Sequence, residues 1–365
     1  MAPGIRVKSP DGEYPILIEP GILERAGALA ARLGLDRPVV VTTNDTVASL
    51  YGELLARSLP SASLIVVADG EQFKTLETVR EVYSGYIRAG LDRTGVVLAL
   101  GGGVIGDLAG FAAATYMRGV RLVQMPTTLL AMVDSSVGGK VGVDLPEGKN
   151  LVGAFKQPDC VIIDLEVLRT LPERELRCGM AEVIKHGLIA DATLLETVMT
   201  LHAPPNWLDD RILNTSAYFA ALPELIERAV RVKIAIVEQD PYEQNVRAFL
   251  NLGHTFAHAI EQVSGYTWPH GEAVGVGLLA AARLSHRLGL CSAALVDRVA
   301  AITAAAALPH RIHGLNSASL FEAMATDKKW RSGRSRFVLL EDIGKPVIVE
   351  DVSRSDVLAV LESLS

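Results

Sequence analysis

Gly95-Val-Val-Leu-Ala-Leu-Gly-Gly-Gly-Val-Ile-Gly-Asp107 decides how this chain folds. An apolar, β-branched run ends in a glycine cluster, and a helical pattern opens directly after it. Between Thr94 and Met117 the only charged residue is Asp107, so the stretch mimics a membrane span. The glycine cluster argues instead for a buried strand, a tight turn and a packed helix. Gly101, Gly103 and Gly106 satisfy the spacing GxGxxG. Glycines there let backbone N–H groups approach a pyrophosphate at a helix N-terminus. Three departures separate this turn from an ordinary Rossmann site. The strand is not the first in the chain, no acidic residue ends the next strand (Arg121–Met125), and Asp107 lies inside the turn. Packing of helix on strand would ask for the same glycines, but a nucleotide site of a non-Rossmann kind is the preferred reading.

Outward from the turn, the first half alternates. Short apolar runs at Pro38–Thr42, Leu64–Val67, Arg121–Met125 and Cys160–Ile163 are separated by helical patterns such as Lys74–Ala89. That alternation predicts a mainly parallel sheet covered on both faces. From about Pro172 the pattern becomes helical, over Pro172–Ile189, Pro223–Glu238, Val246–Val263, Glu272–Leu288 and Ala293–Ala307. Strand signals return only at Arg336–Leu340 and Val347–Val349. A chain of 365 residues favours two domains, expected here as residues 1–171 and 172–365. No flexible linker joins them, so a cleft at the junction is the default ligand site.

The formal net charge of −7 gives no general attraction to nucleic acid or anionic membrane. Cys160, Cys178 and Cys291 are scattered without a CxxC pair, and the N-terminus lacks the apolar core of a signal peptide. Reduced thiols in a soluble cytoplasmic protein are the expectation.

Chemistry concentrates in two places. Asn251-Leu-Gly-His-Thr-Phe-Ala-His258 sets two histidines at i and i+4 on one helical face, and His270 follows just before another helix. Upstream, Glu182, Lys185 and His186 share a helix. Two imidazoles and a carboxylate around an open position suit catalytic zinc, although four candidate histidines exceed what one site requires. The second place is polar and glycine-spaced: Pro126-Thr-Thr128, Asp134-Ser-Ser-Val-Gly-Gly-Lys140 and Gly148-Lys-Asn150. Asp107, Asp134 and Asn150 can bind hydroxyls, while Lys140, Lys149, Lys185 and Lys233 can bind phosphate as point charges. Arg118 and Arg247 can do so with a bidentate fork.

Together these segments closely resemble the 3-dehydroquinate synthase family, over about residues 14 to 349. Asp69-Gly-Glu-Gln-Phe-Lys74 is similar to its DGExxK motif, and Gly101 to Phe111 to its glycine turn, followed by Tyr116-Met-Arg-Gly119. Pro126 to Leu130, Asp134 to Lys140 and Lys149 to Phe155 follow in family order. So do Ala181 to Lys185, Arg247 to Thr255, His270 to Glu272 and Asp327-Lys-Lys329. Met132 and Ala257 depart from the expected Gln and Gly.

The resemblance implies a dehydroquinate-synthase-like fold: an α/β NAD-binding domain with a non-orthodox Rossmann-like site, plus an all-α C-terminal domain that binds metal and substrate. It implies NAD and a divalent ion, zinc or cobalt, the metal held by Glu182, His254 and His270. It places substrate contacts on Arg118, Asp134, Lys140, Asn150, Lys185, Lys233, Arg247 and Asn251, with one more from Lys328 or Lys329. Glu243 and His258 become proton-transfer candidates, beside Lys140, Asp134, Asn150 and Lys185. NAD contacts fall on Asp69, Gly70, Glu71, Gln72, Phe73 and Lys74, and on Gly103, Val104, Ile105, Gly106 and Asp107. The rest are Thr127, Thr128, Lys140, Lys149, Val167, Leu168, Arg169 and Thr170.

The implied reaction converts 3-deoxy-D-arabino-heptulosonate 7-phosphate to 3-dehydroquinate and phosphate. Transient oxidation by NAD, elimination of phosphate, re-reduction, ring opening and an intramolecular aldol step follow in order. A cytoplasmic homodimer is implied as well. A metal-dependent polyol dehydrogenase of the glycerol-dehydrogenase type, another sugar-phosphate cyclase and a non-catalytic binding module are the alternatives.

Overall fold

The computed structural model describes residues 4–32, 34, 38–201, 216–325 and 335–365. The chain divides into two compact units, Met1–Leu171 and Pro172–Ser365.

The first unit runs β1 (Ile5–Ser9), β2 (Gly12–Glu19), α1 (Ala26–Arg32), β3 (Val39–Asn44), α2 (Asp45–Ser58) and β4 (Ser63–Val67). It continues α3 (Leu76–Arg88), β5 (Val96–Gly101), α4 (Gly103–Thr115), β6 (Arg121–Pro126), β7 (Lys140–Leu145), β8 (Gly148–Phe155) and β9 (Cys160–Asp164). Among the described residues one sheet has the order β1-β2-β9-β6-β5-β3-β4. All its pairs are parallel except β1–β2. β3 and β5 are buried along their whole length, as expected of continuous apolar strands covered on both faces. Ile105, Leu108, Ala109 and Ala112 of α4 join Val97, Ala99, Leu122 and Tyr86 in one core. The stretch that mimics a membrane span is thus a central strand and its covering helix. No helix among the described residues is long and apolar enough to cross a membrane.

Register brings the functional turns together. β5 and β6 pair from Val96↔Arg121 to Gly101↔Pro126, so the glycine turn and Thr127 leave the sheet side by side. The Thr127 N–H donates to the Gly101 carbonyl at 2.9 Å. The polar stretch after Thr128 folds into a short helical turn at Ala131–Ser135 and the antiparallel β7–β8 hairpin. Met132, one of the two departures from family pattern, is fully buried there.

The second unit is helical: α5 (Glu173–Ala190), α6 (Ala192–Leu201), α7 (Ser216–Gln239), α8 (His254–Val263), α9 (His270–Arg287), α10 (Ala293–Ala305) and α11 (Ser317–Ala325). The hairpin β10 (Arg336–Asp342) and β11 (Lys345–Glu350), at the two late strand signals, precedes α12 (Arg354–Ser363). Two helices differ from the pattern reading. α7 starts before Pro223 and runs through it. The segment read as one helix over Val246–Val263 is broken into a 3-10 turn (Val246–Asn251) and α8. The break is Gly253, whose φ of 79° lies in the left-handed region and cannot continue a right-handed helix.

α9 is apolar around its whole circumference, with Ala273 to Ala282 buried, which marks it as the core of the unit. Two glycines let neighbouring backbones reach it. A Cβ on Gly271 would lie 2.2 Å from the Cα of Cys178 in α5, and one on Gly277 would lie 2.2 Å from the Gly253 carbonyl oxygen. On an exposed helix, Gly→Ala stabilises by about 1 kcal/mol. For Gly277→Ala the sign should reverse, because forcing an atom into a packed core costs about 1–3 kcal/mol. Urea denaturation of metal-free protein tests this; an unchanged or raised midpoint would refute the close approach.

Candidate active site

In the second unit Glu182 lies within α5, whereas His254 and His270 are the first residues of α8 and α9. The breaks that start those helices therefore aim the imidazoles. Glu182 Oε1 is 3.6 Å from His254 Nε2 and 3.5 Å from His270 Nε2. Ligands held about 2.1 Å from a tetrahedral ion are roughly 3.4 Å apart, so the spacing matches one zinc-sized ion. The other Glu182 oxygen, Oε2, is ion-paired with Lys185 Nζ one turn along the helix. The pair is almost wholly buried, which leaves Oε1 for the cation. The outward nitrogens are supported too. His254 Nδ1 lies 3.1 Å from the Leu252 carbonyl, and His270 Nδ1 lies 3.3 Å from Glu261 Oε2. Such partners put the proton on Nδ1 and present Nε2 to a metal. Burial works to lower the His270 pKa, but the Glu182 and Glu261 carboxylates outweigh it and push it up to about 10. That potential favours any cation there, and a metal would displace the proton. The residues fit a divalent ion.

His258 is one turn beyond His254, with its ring centroid 5.6 Å from that of His254 and 6.4 Å from that of His270. His186, one turn beyond Glu182, is fully buried. The segment 240–251 is organised by Asp240. Its carboxylate accepts the backbone N–H groups of Gln244 (2.8 Å), Asn245 (2.6 Å) and Arg247 (3.1 Å). Burial raises the Asp240 pKa, yet these donors together hold it below the usual carboxylate range. The tight turn they impose puts Glu243 at φ 58°, where its Oε1 accepts from Asn251 Nδ2 at 2.7 Å. The buried Arg247 donates from its guanidinium to the Pro241 carbonyl. Lys233 is buried on α7. Lys328 and Lys329 lie outside the described residues.

In the first unit Gly103 to Asp107 form the first turn of α4, where backbone N–H groups point outward for an anion. The carboxylate inside this turn is neutralised. Lys74 Nζ donates to Asp107 Oδ2 at 2.6 Å and to Asn150 Oδ1 at 2.7 Å. Burial would lower the Lys74 pKa, but Asp107, Glu71 and Asp144 raise it, so the ammonium stays charged. Asn150 is held at φ 52° on β8, its N–H donating to Asp144 Oδ1 at 2.7 Å. One lysine thus ties the DGExxK segment, the glycine turn and the β7–β8 hairpin together. Lys149 pairs with Glu71 at 3.6 Å. Asp69 accepts from Asn44 (2.6 Å) and Thr46 (2.7 Å), linking Asp69 to Lys74 with the end of β3. Val167 to Thr170 form a 3-10 turn touched by the Tyr51 hydroxyl. Arg118 is exposed on the turn after α4, at φ 69°. Asp134 lies within the helical turn Ala131–Ser135, and Lys140 opens β7. Glu261, Asp240 and Asp144 escaped the sequence reading. Only Glu261 left a legible signal, seven residues after His254 and hence on the same face of α8.

Residues 64–178 match the family model described as 3-dehydroquinate synthase N-terminal, and residues 179–330 the one described as 3-dehydroquinate synthase C-terminal. The chain is 45% identical over 364 residues to a 3-dehydroquinate synthase of Pseudomonas putida, covering 98% of this chain and 97% of the relative. It is 47% identical over 340 residues to one of Halorhodospira halophila, covering 92% of each. Among solved structures it is similar to the 2-epi-5-epi-valiolone synthase of Streptomyces hygroscopicus subsp. jinggangensis, which was solved with NAD+ and Zn2+ bound. That pair shares 31% identity and a TM-score of 0.86 over 96% of each chain. Full-length identity well above that needed to fix kinship shows that the chain belongs to the 3-dehydroquinate synthase family.

Proposed function

We propose that this enzyme converts 3-deoxy-D-arabino-heptulosonate 7-phosphate to 3-dehydroquinate and phosphate, using NAD and a divalent metal ion. One observation carries the chemistry: Glu182 Oε1 stands 3.5–3.6 Å from two Nε2 atoms, each backed by a partner on Nδ1. The choice of substrate follows the relatives, since identity is 45–47% to 3-dehydroquinate synthases and 31% to a synthase of another cyclitol.

When bound, the ion supplies a Lewis acid that acidifies a substrate hydroxyl, and NAD takes up and returns one hydride. The protein's residues bind, orient and move protons. Glu182, His254 and His270 would hold the ion, with Lys185 keeping Glu182 to one coordinating oxygen. His258, whose ring lies near those of His254 and His270, is the first candidate to move the hydroxyl proton, and Glu243, which accepts from Asn251, is the second. The first turn of α4 would receive the NAD pyrophosphate, with Lys74 screening Asp107. Arg118, Asp134, Lys140, Asn150, Lys233, Arg247 and one of Lys328 or Lys329 are read as substrate contacts; Lys149 and Val167 to Thr170 as NAD contacts. The N-terminal unit is thereby the NAD-binding domain, and the C-terminal unit the metal- and substrate-binding one. The reading includes a homodimer in the cytoplasm, with no nucleic-acid or membrane partner.

Three outcomes are expected. With the heptulosonate phosphate and catalytic NAD, many phosphates should be released per NAD and no NADH should accumulate. Stoichiometric build-up of NADH, read by its absorbance, would favour a polyol dehydrogenase instead. Chelators should abolish turnover, and His270→Ala should lose bound metal by elemental analysis; full occupancy would contradict the ligand set. The substrate carboxylate distinguishes it from sedoheptulose 7-phosphate and glucose 6-phosphate. A buried bidentate contact contributes about 1.5–3 kcal/mol, roughly ten- to a hundred-fold. Arg247→Ala should therefore lower kcat/KM for the heptulosonate by at least that factor. Equal kcat/KM on all three sugars in the unmodified enzyme would overturn the substrate assignment.

A further inference from the structure

We propose that Glu261 is a positioning residue that holds His270 in place as a metal ligand, an inference resting on the metal site read above. Glu261 is 3% exposed and places Oε2 3.3 Å from His270 Nδ1. A carboxylate so deeply buried is costly to keep ionised unless something compensates the charge, so a residue with only a packing role would be apolar or neutral. Its place on α8 is informative. His254 and Glu261 are seven residues apart, two helical turns, so α8 offers one ligand directly and the support for the other.

The two imidazoles need different support. The His254 side chain is 10% exposed and the His270 side chain 34%. Packing therefore holds His254, whose Nδ1 meets the neutral Leu252 carbonyl. His270 begins its helix with a third of its side chain in water, and a hydrogen-bonded carboxylate restrains it where packing does not. The negative charge also makes Nε2 a stronger donor than a carbonyl partner would.

The test measures zinc affinity of folded protein by competition with a chromogenic chelator at fixed pH, for unmodified protein, Glu261→Gln and Glu261→Ala. Glu261→Gln keeps an acceptor oxygen and loses the charge; Glu261→Ala loses both. Loss of such outer partners weakens metal binding by about 10–100-fold, so the Gln variant should fall near the lower end and the Ala variant near the upper. A purely structural Glu261 would lower the denaturation midpoint while leaving the zinc Kd of folded protein unchanged, and that result overturns the proposal. If unmodified protein binds zinc no better than His270→Ala, the metal reading itself fails and this inference with it.

Discussion

The close approach of backbones around α9 is the constraint on which the metal site depends. Gly271 lets α9 lie against the main chain of α5 one turn before Glu182, and Gly277 lets it lie against the residue before His254. Neither contact tolerates a Cβ. Without them the helices would stand a side chain further apart, and three donor atoms held within 4.8 Å of one another would not be attainable. The candidate ligands themselves are ordinary residues at helix starts and on a helix face. Their convergence is a packing result, made by residues that carry no chemistry.

Charge is arranged with the same economy in each unit. Lys185 is buried against Glu182, and Lys74 against Asp107 and Asn150. In both, an interior ammonium meets an acceptor that a ligand would also use. Such pairs add little net stability, since desolvation offsets most of their attraction, but removing one partner leaves the other charge stranded. They fix geometry. Lys185 engages Oε2 of Glu182 and leaves Oε1 toward the candidate cation position, and Lys74 sets both the carboxylate in the glycine turn and an asparagine held at positive φ. The Asp240 carboxylate does the equivalent for Glu243 by drawing three N–H groups into one tight turn.

Much of this was legible in the sequence, for identifiable reasons. Buried parallel strands are continuous apolar runs, so β3, β5, β6 and β9 announce themselves, and the glycine turn follows from Gly101 to Asp107. Helical periodicity marked α5, α9 and α10 to within two residues at each end. The candidate ligands were visible because they sit in motifs, and the structure brings the three side chains together. What stayed hidden depends on tertiary contact. Gly253 within Val246–Val263 gave no sign that its φ would be positive, because the reason is a helix that arrives later in the chain. The early start of α7 ran against Pro223, a residue that usually begins a helix rather than interrupting one. The partnership of Lys74 with Asp107 and Asn150 joins residues 33 and 76 positions apart, beyond any local pattern. The hairpin β7–β8 alternates weakly and reads as a polar loop until its strands pair.

Dividing the Glu182 oxygens between Lys185 and the cation position has a consequence for which ions the cell can load. A chelating carboxylate favours calcium, which accepts many oxygens at long range, and an oxygen-rich octahedron favours magnesium. Here one oxygen is withdrawn and two imidazoles take its place, so the abundant hard cations of the cell find too few ligands of the kind they prefer. A set of two nitrogens and one oxygen suits borderline ions such as zinc, cobalt or iron, which it would rank by the general order of affinities. With such a donor set, the metal pool during growth would weigh beside the amino-acid sequence in deciding which borderline ion the protein carries.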